Sequence, residues 1–122
     1  MYSLNIGQRI AIIEMLRMYT TPDIEMLLEL RRRAKTFEIT DEEKEKVGLK
    51  KLPAIGGETV SWDDKEYVTE LEIDELTSRV FNEQIKSMAQ NKRLTANDEF
   101  TLSVYELLTA RAAGSDIAEP AK

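Results

Sequence analysis

A chain of 122 residues with 42% hydrophobic and 33% charged content is an ordinary single-domain mixture, long enough to bury a core without disulfides or a metal. It contains no cysteine and no histidine. Thiolate nucleophiles, imidazole bases, zinc clusters and the serine–histidine–aspartate triad are therefore excluded, and any catalysis would rest on carboxylates, lysine, tyrosine or carboxylate-bound magnesium.

Tyr2, Leu4 and Ile6 alternate with polar residues, which suits a short strand or an extended lead-in. From Ile6 to Tyr19 the spacing becomes helical, with Ile10, Ile13 and Leu16 along one stripe and Ile12, Met15 and Tyr19 beside it. So broad an apolar face suits burial on more than one side and leaves surface for a homodimer. Thr21 then reads as a cap, Pro22 as the first residue of a second helix and Asp23 as a complement to its positive end. That helix is expected to reach Lys35 or Phe37 and to bury Ile24, Leu27, Leu28, Ala34 and Phe37. Thr40 and Glu43 have the spacing of a capping box for a brief third helix, which Gly48 stops in the left-handed conformation.

Lys50–Gly57, with one proline and two glycines, reads as a loop, and Gly56-Gly57 as a flexible lead-in. Glu58–Ile73 then reads as an antiparallel hairpin turning at Asp63-Asp64-Lys65-Glu66. Val60 and Trp62 share its apolar face with Tyr67, Leu71 and Ile73, while Val68, Glu70 and Glu72 point away. A lone hairpin is marginal, so it needs helices beneath it or the lead-in Tyr2–Ile6 as a third strand. Asp74 caps a fourth helix to about Asn91, with Leu76, Val80, Phe81, Ile85 and Met88 inward, and Lys92-Arg93 close it. Thr95 and Asp98 begin a fifth helix whose stripe is Phe100, Val104, Leu107, Leu108 and Arg111, with Gly114 as its stop.

The order of segments IGQRIAIIEML, ITDEEKEKVGL, VSWDDKEYVTELEI and NKRLT, with a closing helix ending in YELL, resembles small uncharacterised accessory proteins of bacteriophages and prophages. The resemblance spans residues 4–108 and rests on caps and apolar positions. It implies a non-structural protein acting in the cytoplasm of a bacterial host, and it carries over no catalytic residue. The N-terminal residues lack the features of a secretory signal, and the apolar runs are too short for a membrane span, which agrees with that location.

Each chemistry-bearing cluster has a plain reading beside the functional one. Asp41, Glu42, Glu43 and Glu45 fit a helix N-terminus better than a calcium loop, since the central glycine is missing. Asp63, Asp64 and Glu66 fit an exposed turn better than a tuned carboxylate pair. Arg31-Arg32-Arg33 point three ways from a helix, with Glu25 and Glu29 near enough to pair. Trp62 is expected to anchor the ribbon to the helices, the other reading being an exposed anchor for a partner.

The expected fold is α+β: four main helices and one short one with a small antiparallel hairpin, residues 1–113 forming one domain and 114–122 a flexible tail. The expected core holds Ile10, Ile13, Leu16, Leu27, Leu28, Val80, Phe81, Ile85, Val104 and Leu107, with the first two and last two helices paired. The net charge of −6 is concentrated, because Asp41–Glu75 carries 12 acidic and 5 basic residues. The leading expectation is a non-enzymatic protein with no cofactor and no metal, which binds a host or phage protein through Asp63, Asp64, Glu66, Glu70 and Glu72. Such an acidic surface would serve as an inhibitor or as a mimic of nucleic-acid charge. One alternative is a nucleic-acid-binding regulator using Arg31–Arg33, Lys92 and Arg93. Another is a magnesium-dependent enzyme built on the clustered carboxylates.

Overall fold

In a computed structural model the backbone is described over residues 2–54 and 57–121, and the side chains over the same range apart from 52–59 and 111–121. The elements run β1 (Tyr2–Asn5), α1 (Ile6–Met18), α2 (Ile24–Thr36), α3 (Asp41–Val47), β2 (Lys50–Ala54), β3 (Gly57–Ser61), β4 (Val68–Leu71), α4 (Glu75–Gln90) and α5 (Glu99–Ala121). The mainly helical α+β class is as expected. The β pairing agrees in part: the N-terminal lead-in is a strand beside Val68–Leu71, but the hairpin lies elsewhere.

Among the described residues there are two separate two-stranded antiparallel sheets, β1 with β4 and β2 with β3. The hairpin therefore lies upstream of its expected position, with Lys50 opposite Ser61 and Ala54 opposite Gly57. The segment read as a loop supplies its first strand. Pro53 is tolerated because a two-stranded ribbon consists only of edges, where one lost donor need not face a neighbour. The expected flexible lead-in at Gly56 falls outside the described residues, whereas Gly57 is the first residue of β3.

The second half of the expected hairpin pairs with the N-terminus instead, Tyr2 opposite Leu71 and Asn5 opposite Val68. The chain is led out of β3 by backbone bonds: Asp63 and Asp64 N–H both donate to the Val47 carbonyl, at 2.7 and 3.1 Å. Asp63–Glu66 thus belongs to a connection between sheets and is not a hairpin tip. The alternation within β4 is as expected, with Thr69 and Leu71 turned inward and Val68 and Glu70 outward.

Local chemistry sets most helix ends. Thr40 and Glu43 form the expected capping box, and Gly48 stops α3 at φ 71°. A Cβ at Gly48 would also overlap the Asp63 carboxylate, so the site needs glycine for space as well as conformation. Asp74 caps α4 through Thr77 N–H, and Asn5 and Gln8 make a second capping box on α1. The cap of α2 is Asp23, two residues past the expected Thr21. Its carboxylate accepts from Met26 N–H, and Thr21 Oγ1 only accepts from Asp23 N–H. Likewise Thr95 and Asp98 close a turn on each other, and α5 starts beyond it at Glu99. At its other end α5 continues through Gly114, where a stop was expected, to Ala121. A single glycine lowers helix stability by only about 1 kcal/mol and does not enforce termination.

Lys92, after the end of α4, is the one described non-glycine residue with positive φ, at 57°. The Arg93 N–H reaches back to the Met88 carbonyl at 2.8 Å, as a left-handed helix stop requires. Lys92→Gly is therefore expected to stabilise the fold by about 1 kcal/mol in urea denaturation. An unchanged midpoint would mean that the lysine bears no strain there.

Helix α1 is central, packing against α2, α4 and α5, and α4 packs against α5 as expected. The main core joins Leu4, Ile12, Met15, Leu16, Leu30, Phe37, Phe81 and Val104 with their neighbours. Of the expected core, Leu16, Val80, Phe81, Ile85 and Val104 are buried, and Ile10, Ile13 and Leu107 are half-buried. Ile24, Leu27 and Leu28 are corrections: they are exposed, because α2 turns Leu30 and Ala34 toward the core and the opposite side of its apolar stripe toward solvent. A smaller core lies on the other flank of α1, where Ile6, Val47 and Trp62 are buried with Ile10, Leu49, Val60, Tyr67 and Phe100 around them.

Candidate functional site

The second core opens into a groove of about 470 Å³. Its apolar walls are Ile10 and Ile13 of α1, Leu49, Val60, Trp62 and Phe100, with Glu14, Arg17, Glu38 and Lys44 at the rim. Each wall has a local cause. The α1 face is wider than the main core can cover, so Ile10 and Ile13 remain half-buried at its edge. Gly7 lets α5 approach: a Cβ there would overlap the Phe100 ring, which in turn packs on Trp62 with centroids 5.7 Å apart. Trp62 itself is 7% exposed, so its main role is the expected anchor, although it also lines the groove. Lys65 folds back over the indole with Nζ 4.0 Å from the ring centroid, a cation–π contact.

Directly after Trp62 the chain reaches the carboxylates singled out in the sequence. Asp63, Asp64, Glu66, Glu70 and Glu72 are all exposed. Glu70 accepts a hydrogen bond from Ser3 Oγ at 2.8 Å, which ties β4 to β1. Asp64 accepts from Glu66 N–H at 3.2 Å, a turn contact. None of the five enters an ion pair among the described residues. They share solvent exposure, but they lie in two settings, the connection after β3 and the outer side of β4 with the residue beyond it.

The strongest electrostatic feature is elsewhere and involves a residue that the sequence reading passed over. Arg9 of α1 is 2% exposed and forms a two-pronged pair with Glu43 of α3, Nη1 to Oε2 at 2.7 Å and Nη2 to Oε1 at 3.0 Å. Its remaining donors reach the carbonyls of Phe37 and Glu38 past the end of α2, at 3.1 and 2.6 Å, and Thr69 Oγ1 at 3.4 Å. Glu43 also accepts from Tyr67 Oη and Thr69 Oγ1, at 2.9 and 3.2 Å, and from Thr40 N–H at 3.0 Å. The Arg9 guanidinium, aided by Thr40 N–H and the Tyr67 hydroxyl, holds the Glu43 carboxyl far below the usual range against the opposing effect of burial. Glu43 is thus a fixed anion at neutral pH, and the Arg9–Glu43 pair joins four segments of the chain: α1, the residues after α2, α3 and the stretch from Tyr67 to Thr69. A signal existed in the sequence: Arg9 is the only charged residue from Ile6 to Ile13.

The other clusters disperse. Asp41 lies 3.7 Å from Lys44, Glu42 and Glu45 face solvent, and Glu43 turns inward. Among the described residues no group of three carboxylates is arranged to hold a metal ion. In the arginine run, Arg32 pairs with Glu29 at 2.8 Å, and Arg33 joins Glu29 to the α4 cap Asp74. These contacts, led by the Arg33 hydrogen bond, hold the Glu29 carboxyl below its ordinary value. Among the described residues Arg31 makes no such pair, and it stays exposed. Lys92 and Arg93 are exposed past the end of α4. No described helix is long and apolar enough to cross a membrane.

No family model, curated protein or solved structure matches this chain.

Proposed function

We propose that the chain is a non-catalytic binding module whose partner is a protein with a basic contact surface. The observation that supports this most is that one segment contributes to two recognition features. Val60 and Trp62 wall the apolar groove, and the next residues are the exposed carboxylates Asp63, Asp64 and Glu66. A partner segment with a large apolar side chain beside lysines or arginines complements both features, the groove by burial and the carboxylates by charge. The carboxylate whose acidity is furthest displaced, Glu43, is committed to Arg9, which leaves it unsuited to proton transfer. The resemblance in the sequence gives the setting for this reading, an accessory protein in the cytoplasm of a bacterial host that acts on a host or phage protein.

The test compares proteins captured from bacterial lysate by the wild-type chain and by Asp63→Lys/Asp64→Lys/Glu66→Lys. One specific partner is expected, with its capture weakened by added salt and lost in the triple variant. A partner captured equally by both chains, or no partner at all, counts against the reading. Salt-sensitive retention of DNA or RNA, lost on Arg31→Glu, would replace it with the nucleic-acid alternative.

A further inference from the structure

Helix α2 carries an apolar stripe that the described residues do not cover. Ile24 is 71% exposed, Leu28 48% and Leu27 39%, and Met18 near the end of α1 adds a fourth exposed apolar side chain at 50%. Helical spacing sets Ile24, Leu28, Arg31 and Lys35 along one line on the side opposite the buried Leu30. Beside Leu27 lies a concavity lined by Leu16, Arg17, Arg31, Lys35 and Glu38.

The charge along this helix is also divided. Asp23 and Glu25 lie at its start, and Arg31, Arg32 and Lys35 lie toward its end. We infer that α2 is a homodimerisation helix that packs antiparallel against α2 of a second copy about a two-fold axis at Leu28. Self-pairing in this sense is complementary by construction: the acidic start of each helix meets the basic end of the other, while Leu28 meets Leu28 at the centre. Parallel pairing would set Arg31 and Lys35 of both copies against each other. Glu25 and Arg32 are seven residues apart and so share one flank of the stripe. An antiparallel two-fold brings flanks of the same side together, so Glu25 of each copy faces Arg32 of the other. The Arg32 pair with Glu29 is a surface contact on an arginine that is still largely exposed, and the fork has donors to spare.

This inference is independent of the protein-binding reading, which uses the groove at Trp62. Sedimentation of the full chain over a wide concentration range is expected to show reversible dimerisation, with twice the 14.0 kDa chain mass at the upper end. Leu28→Glu should raise the dissociation constant roughly a hundredfold, because the substitution is present twice at the centre. Unchanged circular dichroism and melting of the monomer would separate this result from misfolding, and Leu27→Lys provides a second variant. Glu25→Arg and Arg32→Glu should each weaken the homodimer, and a mixture of the two should associate as a heterodimer with restored affinity. A wild-type chain monomeric at millimolar concentration, or a dimer indifferent to Leu28→Glu, overturns the inference. Mixed variants that fail to recover association overturn the antiparallel arrangement. A monomer whose Leu28 is covered only by a different protein also overturns it.

Discussion

Replacing Arg9 with methionine, or Glu43 with glutamine, is expected to cost about 3–5 kcal/mol of folding stability, the range for breaking a buried ion pair from one side. The large value follows from what remains behind. Without Glu43, the Arg9 guanidinium stays 2% exposed, with carbonyls as its main partners. Without Arg9, Glu43 keeps the Tyr67 hydroxyl and Thr40 N–H but loses both charged bonds. The double variant Arg9→Met/Glu43→Gln should lose much less than the sum of the single losses, since neither charge is then stranded. Urea denaturation of the four proteins measures the coupling. Additive losses would show that the pair acts through packing alone.

The same pair fixes the sign of the acid response. Because the folded-state pKa of Glu43 is depressed, its contribution is fully present above the ordinary glutamate value and declines as pH falls below it. Glu29 and Asp74 are depressed as well, so they add in the same direction. Stability should therefore fall from about pH 5 downward, and Glu43→Gln should flatten that decline.

The second large effect is expected at Trp62. Trp62→Ala should cost about 3–5 kcal/mol, the usual range for removing a buried large aromatic. The indole closes the small core with Ile6 and Val47, meets the Phe100 ring and receives the Lys65 ammonium. Trp62→Phe keeps a ring against Phe100 and should recover more than half of the loss, as followed by circular dichroism. If alanine costs less than 1 kcal/mol, the indole is a surface anchor and the floor of the groove is not part of the fold.

How far these features were legible in the sequence depended on how local their causes are. The capping box of Thr40 and Glu43, the cap at Asp74 and the stop at Gly48 are decided within a few residues, and they read correctly. The burial of Val80, Phe81, Ile85 and Val104 follows from helical spacing. Strand pairing is a different kind of information. The alternation in Val68–Leu71 says that it has two faces, but it does not say whether Ser61 or Tyr2 lies alongside. Pro53 hides β2, because its cost depends on whether the strand has one neighbour or two. The apolar stripe of α2 is visible, yet spacing cannot tell which part of it a neighbouring helix covers, so Leu27 and Leu28 were assigned to the wrong environment. Arg9 was passed over because arginine in a helix is ordinarily solvated, and its partner lies 34 residues away.

The five carboxylates at the proposed contact were legible as residues but not as an arrangement. Their exposure matches the expectation, while the turn assigned to Asp63–Glu66 became a link between two sheets. The groove beside them depends on Gly7, Phe100 and Trp62, which are brought together from distant parts of the chain.

The pairing of β1 with β4 also has a consequence for the order of assembly. The first strand is synthesised well before its partner, since Ser3 and Glu70 are separated by 67 residues. Arg9 likewise waits for Glu43. The most central helix is therefore made before most of the segments that it packs against, and it is among the last to find all its neighbours. Until Leu71 has been made, Leu4 has no strand to lie against and the N-terminal end of α1 keeps its apolar face in water. Long-range closure of this kind favours all-or-none folding of the finished chain over stepwise folding during synthesis.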